Sequence, residues 1–211
     1  MNLKYNYWRW EGALSSQTCD KIIDEGLSNR CETAQTSLDG NKKVLATNDV
    51  KKLLKIRNSN VVFLGNQWIF DIIHSYLHQA NKNAGWNFQY DFTESMQFTI
   101  YGKKQHYTWH NDCFPDPYSL DHPFKSYRGK IRKISCVVQL SDPKKFKGGE
   151  LELDFGRKGN KNTSIIKRDK PFNTKRGSII FFPSFVWHRV KPVTKGTRYS
   201  LVCWTLGNPF V

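Results

Sequence analysis

From about Phe92 onward, apolar residues stop recurring at helical spacing and gather into short runs rich in Val, Ile, Thr, Phe and Tyr. Gly, Pro, Asn or Asp bounds each run. Runs of that composition, punctuated by turn formers, read as strands. They predict strands near 94–101, 106–112, 131–140, 150–155, 163–167, 178–182, 186–191 and 197–206. No long helical pattern follows residue 90, which argues against a doubly wound α/β fold. Ahead of this region, Ser15 and Ser16 precede Cys19, Ile22, Ile23 and Leu27, with Asp20 and Asp24 early and Arg30 late. That is the signature of a capped amphipathic helix. Trp68, Ile69, Ile72, Ile73, Tyr76, Leu77 and Ala80 predict a second helix over about 66–83. The fold class implied is mainly β with N-terminal helices, in a closed or double-sheet architecture such as a jelly roll.

At 211 residues the chain suits one domain. No repeat or linker divides it, so residues 1–211 are read as a single unit, with a helical lead-in over 1–90 and a β core over 91–211. No apolar run approaches the ~18 residues of a spanning helix, and Met1–Trp10 lacks the apolar stretch of a secretory signal. Five scattered cysteines without a CxxC pair read as reduced thiols. The expectation is a soluble cytoplasmic protein with no membrane partner. The net charge of +15 is uneven: residues 1–100 carry 11 Lys+Arg against 10 Asp+Glu, and residues 101–211 carry 22 against 8. Such a field attracts anions of any kind. It also serves solubility alone, so charge does not choose a partner.

The chemistry gathers in three places. In Tyr107-Thr108-Trp109-His110-Asn111-Asp112, strand alternation puts His110 and Asp112 on one side and Asn111 on the other. His188 sits in the apolar stretch Gly177–Val190, where a polar side chain needs a partner. Taken alone, it reads as a core histidine bonded to a backbone carbonyl. Beyond it, Pro192 and Gly196 bracket a turn. This predicts a hairpin of 186–191 with 197–206 in which His188 and Arg198 face each other. Arg198, Ser200, Val202 and Trp204 then share the inward face. An inward arginine needs an anion, because a lone buried guanidinium is costly. A bound carboxylate or phosphate meets that need; pairing with a distant acid, or exposure to solvent, is the alternative. Two histidines and a carboxylate with open positions form the donor set of non-haem Fe(II) oxygenases, and the arginine fork suits a carboxylate.

With these residues in view, the chain from about Glu11 to Leu206 resembles the 2-oxoglutarate/Fe(II)-dependent dioxygenases, in their prolyl 4-hydroxylase-like branch of bacterial and phage type. The family pattern of His-x-Asp, a long insertion, His, and Arg or Lys about ten residues later is met by His110, Asp112, His188 and Arg198. Ser200 completes an Arg-x-Ser pair. Tyr101-Gly102 and Tyr107 are similar to tyrosines near the co-substrate. Ser135–Asp142 followed by Gly148-Gly149-Glu150-Leu151 resembles the strand–loop–strand ahead of the second histidine. Glu11–Ser15 and Arg57-Asn58-Ser59 are similar to the family's lead-in. The resemblance implies a double-stranded β-helix with Fe(II) held by His110, Asp112 and His188. It also implies 2-oxoglutarate chelating that iron with its C5 carboxylate on Arg198 and Ser200, and it admits ascorbate as an accessory reductant. Gln139 stands where some relatives place a tyrosine toward that carboxylate.

The resemblance, and Trp204 as an inward pocket residue, imply hydroxylation of a prolyl residue in a peptide or protein, a substrate with an acidic stretch being one that the charge accommodates. Oxidation of a nucleobase or another small metabolite is the second reading, supported only by the basic half; a non-catalytic jelly-roll binding module is the third. Residues 113–129, rich in Pro and aromatics, read as a loop over the site mouth. His106 and His122 are expected to face solvent, and His74 and His78 to flank the second helix without binding metal. The basic stretch Arg157–Arg176 reads as a solvated hairpin or as a landing strip for an anionic macromolecule.

Overall fold

A computed structural model of the chain describes residues 3–34, 47–114, 116–155 and 175–210. The elements run β1 (Trp8–Trp10), α1 (Ser16–Ser28), β2 (Glu32–Thr33), α2 (Thr47–Ile56), β3 (Arg57–Asn58), β4 (Asn60–Leu64) and α3 (Gln67–Asn83). They continue as β5 (Phe92–Thr93), β6 (Met96–Tyr101), β7 (His106–His110), β8 (Ile131–Gln139), β9 (Lys147–Gly148) and β10 (Leu151–Asp154). The last four are β11 (Ile179–Pro183), β12 (Trp187–Val190), β13 (Val193–Lys195) and β14 (Arg198–Gly207).

An eight-stranded antiparallel sheet in the order β1-β11-β8-β14-β6-β4-β2, with β5 beside β14, forms the major layer. A four-stranded sheet, β10-β12-β7-β3, forms the minor layer. This is the mainly β double-sheet architecture expected of a jelly roll. Strand periodicity separates the two faces of the major sheet. Ile134, Cys136, Val138, Ile179, Phe181, Leu201 and Cys203 face one way and pack with Ile22, Ile69, Ile73 and Leu77 of α1 and α3. Val137, Ile180 and Phe182 face the other way, into a second core with Leu151 and Val190 of the minor sheet. The helices therefore shield one face and leave the opposite face to line the space between the sheets.

The two predicted helices are observed. Ser15 caps α1, its Oγ accepting from the Thr18 amide at 3.1 Å, and Ile69, Ile73, Leu77 and Ala80 form the buried stripe of α3. Helix α2 and strands β1 to β5 are additions to that reading, as are β9 and β13, which pair with each other where the sequence predicts a loop and a turn. For β4 the signal was local: Val61-Val62-Phe63-Leu64 between Asn60 and Gly65. The predicted strand 163–167 and most of the basic stretch 157–176 lie outside the described residues.

The predicted hairpin is corrected. Strand β12 pairs with β10 and β7, whereas β14 pairs with β5, β6 and β8, so His188 and Arg198 stand in different sheets. Between them the chain crosses from one layer to the other. The Lys191 amide donates to Glu150 O at 2.9 Å, Val193 to Gln105 O at 3.1 Å, and Pro192 O accepts from the Gly149 amide at 3.2 Å. These foreign partners take up the groups a tight turn would use. Gly148 permits the approach: it has a φ of +74°, and a Cβ there would lie 2.3 Å from Pro192 O.

Candidate active site

A cavity of about 880 Å³ opens between the sheets and is walled by both. The minor sheet contributes His110 from the end of β7 and His188 from β12, which are register partners. Asp112 follows just past the end of β7, where its amide and that of Cys113 both donate to Ser184 O, at 2.9 and 3.1 Å. The β7–β12 register slips between the His188–His110 and Val190–Tyr107 pairs, so β7 carries one extra residue. This bulge places Tyr107 on the same face as His110, which strict alternation forbids for residues three apart. The two rings stack with centroids 3.4 Å apart and planes 13° apart.

One donor atom from each of His110, Asp112 and His188 lies within 4.8 Å of the others, so the three expected side chains converge. His110 Nε2 is 3.8 Å from Asp112 Oδ1, and His188 Nε2 is 3.5 Å from Oδ2. Each imidazole is oriented from behind: Nδ1 of His110 meets Thr108 O at 2.8 Å and Nδ1 of His188 meets Val186 O at 3.0 Å. A carbonyl only accepts, so Nδ1 carries the hydrogen and Nε2 presents its lone pair to the centre. Burial, with the neighbouring His188, pushes His110 down to about 3, so its ring is neutral. Burial raises the Asp112 carboxyl, but His188, His110, Arg132 and the Ser135 hydroxyl outweigh that and bring it down to about 2. Two imidazole nitrogens and a carboxylate on one side suit a divalent first-row metal with open positions.

Deeper in the cavity, Arg198 is 1% exposed, and among the described residues no carboxylate lies within ion-pair distance of it. Its Nε donates to Gln139 Oε1 at 3.1 Å and Nη1 to Ser200 Oγ at 3.3 Å. Burial pulls it down to about 10, which leaves it charged at neutral pH. A buried cation held by neutral groups alone calls for an anion from outside.

A family model for the 2OG-Fe(II) oxygenase superfamily matches residues 96–206, from the start of β6 nearly to the end of β14. The chain belongs to that superfamily. Among curated relatives of this chain, a PKHD-type hydroxylase of Xylella fastidiosa (strain M12) is 30% identical over 110 residues, 51% of this chain and 42% of that protein. One from Delftia acidovorans is 35% identical over 79 residues, covering 36% and 30%. The chain thus spans less than half the length of these curated relatives. Solved structures share the fold across nearly the whole chain. A viral collagen prolyl hydroxylase from Paramecium Bursaria Chlorella virus-1, in complex with 2OG, has a TM-score of 0.61 at 20% identity, covering 96% of this chain and 97% of that one. A Pseudomonas putida prolyl-4-hydroxylase has 0.63 at 16%, covering 95% and 92%. A Trichoplax adhaerens prolyl hydroxylase, in complex with a hypoxia inducible factor oxygen degradation domain peptide fragment, has 0.64 at 16%, covering 95% and 83%.

The other expected positions of the site fall as follows. Tyr101, Tyr107, Ser200 and Trp204 line the cavity. Gln139 stands behind Arg198, its Nε2 donating to Ser141 O at 3.0 Å. Burial raises both tyrosines, Tyr107 to about 12, so both phenols keep their protons. The loop after Asp112 does border the mouth, through Phe114, Tyr118 and Pro123. His122 is corrected: it is half-buried in that loop, stacked on Tyr127 with centroids 4.8 Å apart, instead of facing solvent. His106 is also half-buried, its ring nitrogens at Lys104 O and Lys55 O, both 3.1 Å away. His74 and His78 hydrogen-bond Thr93 and Tyr90.

Sequence reasoning missed three cavity groups. Arg132 forms a two-pronged bond to Glu94, 2.7 Å on each arm, while its guanidinium lies 3.9 Å from the Trp204 ring centroid. Arg57 lies over Tyr107 at 4.7 Å and donates to Ser59 at 3.1 Å. Glu94 and Arg132 are 38 residues apart, with no local pattern to join them.

Proposed function

We propose that this chain is an Fe(II)- and 2-oxoglutarate-dependent dioxygenase that hydroxylates a prolyl residue in a peptide or protein. The convergence of His110, Asp112 and His188 beside the acid-free buried Arg198, in one cavity, carries the reading. His110 Nε2, His188 Nε2 and the Asp112 carboxylate would hold Fe(II). Arg198, with Ser200, would bind the C5 carboxylate of 2-oxoglutarate by charge-assisted hydrogen bonds, and Gln139 would fix the guanidinium from behind. When bound, the metal and co-substrate supply the oxidising chemistry, in which O2 converts 2-oxoglutarate to succinate and CO2 and a substrate C–H bond is hydroxylated.

The remaining groups of the chain bind and orient. Val137, Leu151, Val190 and Val202 line the cavity and keep its floor dry. Trp204 offers a flat wall against which a prolyl ring packs, and its buried Nε1 has no hydrogen-bond partner among the described residues. Arg132, neutralised by Glu94, holds the indole face in place. The +15 net charge supports an acidic character for the substrate away from the pocket, whereas Asp116 and Asp121 give the mouth itself the opposite sign. Similarity to the prolyl hydroxylase structures supports the peptide reading. No helix among the described residues is long and apolar enough to cross a membrane.

The test is turnover of the reconstituted protein with Fe(II), 2-oxoglutarate and a panel of proline-containing peptides. The expected result is one oxygen added per peptide, with succinate formed, and loss of both in His110→Ala or Asp112→Ala. Turnover in those variants equal to the parent overturns the metal assignment. A mass change on single-stranded DNA, with none on any peptide, overturns the substrate class.

A further inference from the structure

Ser135 and Ser184 are both fully buried, yet neither belongs to the donor set. Ser135 lies on β8, its Oγ donating to Asp112 Oδ2 at 2.7 Å, and it shares a 2.9 Å hydrogen bond with Ser184 Oγ. Ser184 sits in the turn between β11 and β12, four residues before His188. Its carbonyl takes the amides of Asp112 and Cys113, and its own amide donates to Lys133 O at 3.0 Å. One small polar cluster thus joins β8 of the major sheet, the loop carrying Asp112 and the turn leading to His188.

We propose that Ser135, anchored by Ser184, is a positioning residue that sets Asp112 for monodentate metal binding. This rests on reading His110, Asp112 and His188 as a metal set. A carboxylate free to rotate can offer one oxygen or both. Both oxygens border the histidines, Oδ1 3.8 Å from His110 Nε2 and Oδ2 3.5 Å from His188 Nε2, but the 2.7 Å hydrogen bond occupies Oδ2 and fixes the carboxylate plane, which leaves Oδ1 as the oxygen to bind a metal. Single-oxygen binding leaves three positions of an octahedral metal open, two for a two-atom chelate such as a 2-oxo acid and one beyond it; two-oxygen binding would take up the third and crowd the chelate. Outer partners of this kind are worth roughly 10–100-fold in metal affinity. The main-chain bonds through Ser184 make the clamp stiff, because they tie both ligand-bearing segments to the same hydroxyl pair.

Co(II) is the probe, titrated anaerobically by calorimetry and by visible absorbance, which reports coordination number. Ser135→Ala is expected to bind Co(II) roughly 10–100-fold more weakly, with a changed spectrum and weaker 2-oxoglutarate binding to the Co(II) form. Ser184→Ala keeps the bond to Asp112 but loses its anchor, and should weaken binding less. Ser135→Cys fills the same space with a poor donor; it should follow Ser135→Ala, and it decides the question should the alanine variant fail to fold. A side chain needed only for folding would lower the thermal midpoint and leave affinity and spectrum of the folded protein alone. Parent-like affinity and spectrum in the serine variants overturn the clamp. A parent that binds no Co(II), or binds it equally well as His188→Ala, overturns the metal reading and the clamp together.

Discussion

Arg198 shows how a single side chain can work against the fold that holds it. Burial of a guanidinium without a paired carboxylate costs stability, and among the described residues Gln139, Ser200, the Tyr101 ring beneath the guanidinium and the charge of the more distant Glu150 offset part of that cost. Arg198→Met keeps the volume and removes the charge. It is expected to leave the urea midpoint of the ligand-free protein unchanged or higher, while weakening 2-oxoglutarate by 30-fold or more, about 2 kcal/mol, the scale of one or more charged hydrogen bonds. Calorimetric titration beside urea unfolding checks both halves, and a lower midpoint with unchanged binding would contradict the assignment. Arg198→Lys should recover only part of the affinity, because an ammonium cannot reproduce a planar two-pronged fork. The inward orientation of Arg198 was legible from its parity with Ser200 and Trp204. Its neutral partner was not, since Gln139 comes from a strand 59 residues away.

Helix α1 approaches β6 closely at Gly26. Gly26 is buried on α1, and a Cβ there would stand 2.3–2.5 Å from three ring atoms of Phe98. Helix propensity alone says that Gly26→Ala should stabilise, by about 1 kcal/mol. Overpacking a filled core costs about 1–3 kcal/mol, and the Phe98 ring, itself fully buried and stacked on Tyr199, has no room to turn. With the cost in the upper half of that range, about 2–3 kcal/mol, the net expectation is a loss of about 1–2 kcal/mol, read as a lower urea midpoint, with Co(II) affinity of the folded protein unchanged because Phe98 faces away from the cavity. Gly26→Ala matching or exceeding the parent would show that α1 can slide. Element boundaries in the β core came close to those read from the sequence, because strand periodicity and turn residues are local signals. The β7 bulge was invisible: it exists only in the pairing of β7 with β12, and nothing within Tyr107–His110 announces it.

In the assembled molecule the cavity is the seam between two sheets, so occupancy should be felt as global stability. The ligand set joins β7, its following loop and β12, while Arg198 reaches in from the major sheet. Co(II) at a hundred times its dissociation constant should add about 2.7 kcal/mol, which for a chain of this size raises the thermal midpoint by about 5–10 °C. Chelator should reverse the shift, and His188→Ala should not show it. 2-Oxoglutarate should add a second increment only when metal is present. A scan showing no metal-dependent shift would mean that the donor atoms do not act together.

What local order alone determined was the class of α1, α3 and the longer strands of the β core, and the inward parity of their site residues. His110 with Asp112, His188, and Arg198 with Ser200 and Trp204 could be named from spacing and from the cost of leaving polar groups unpaired. Which strands are neighbours was decided only in three dimensions. The crossover at Lys191–Gly196, the Glu94–Arg132 pair and the Ser135–Ser184 bridge each join residues tens of positions apart. Periodicity is a property of a few consecutive residues, whereas pairing and register follow from how two complete sheets and their helices fill a common interior.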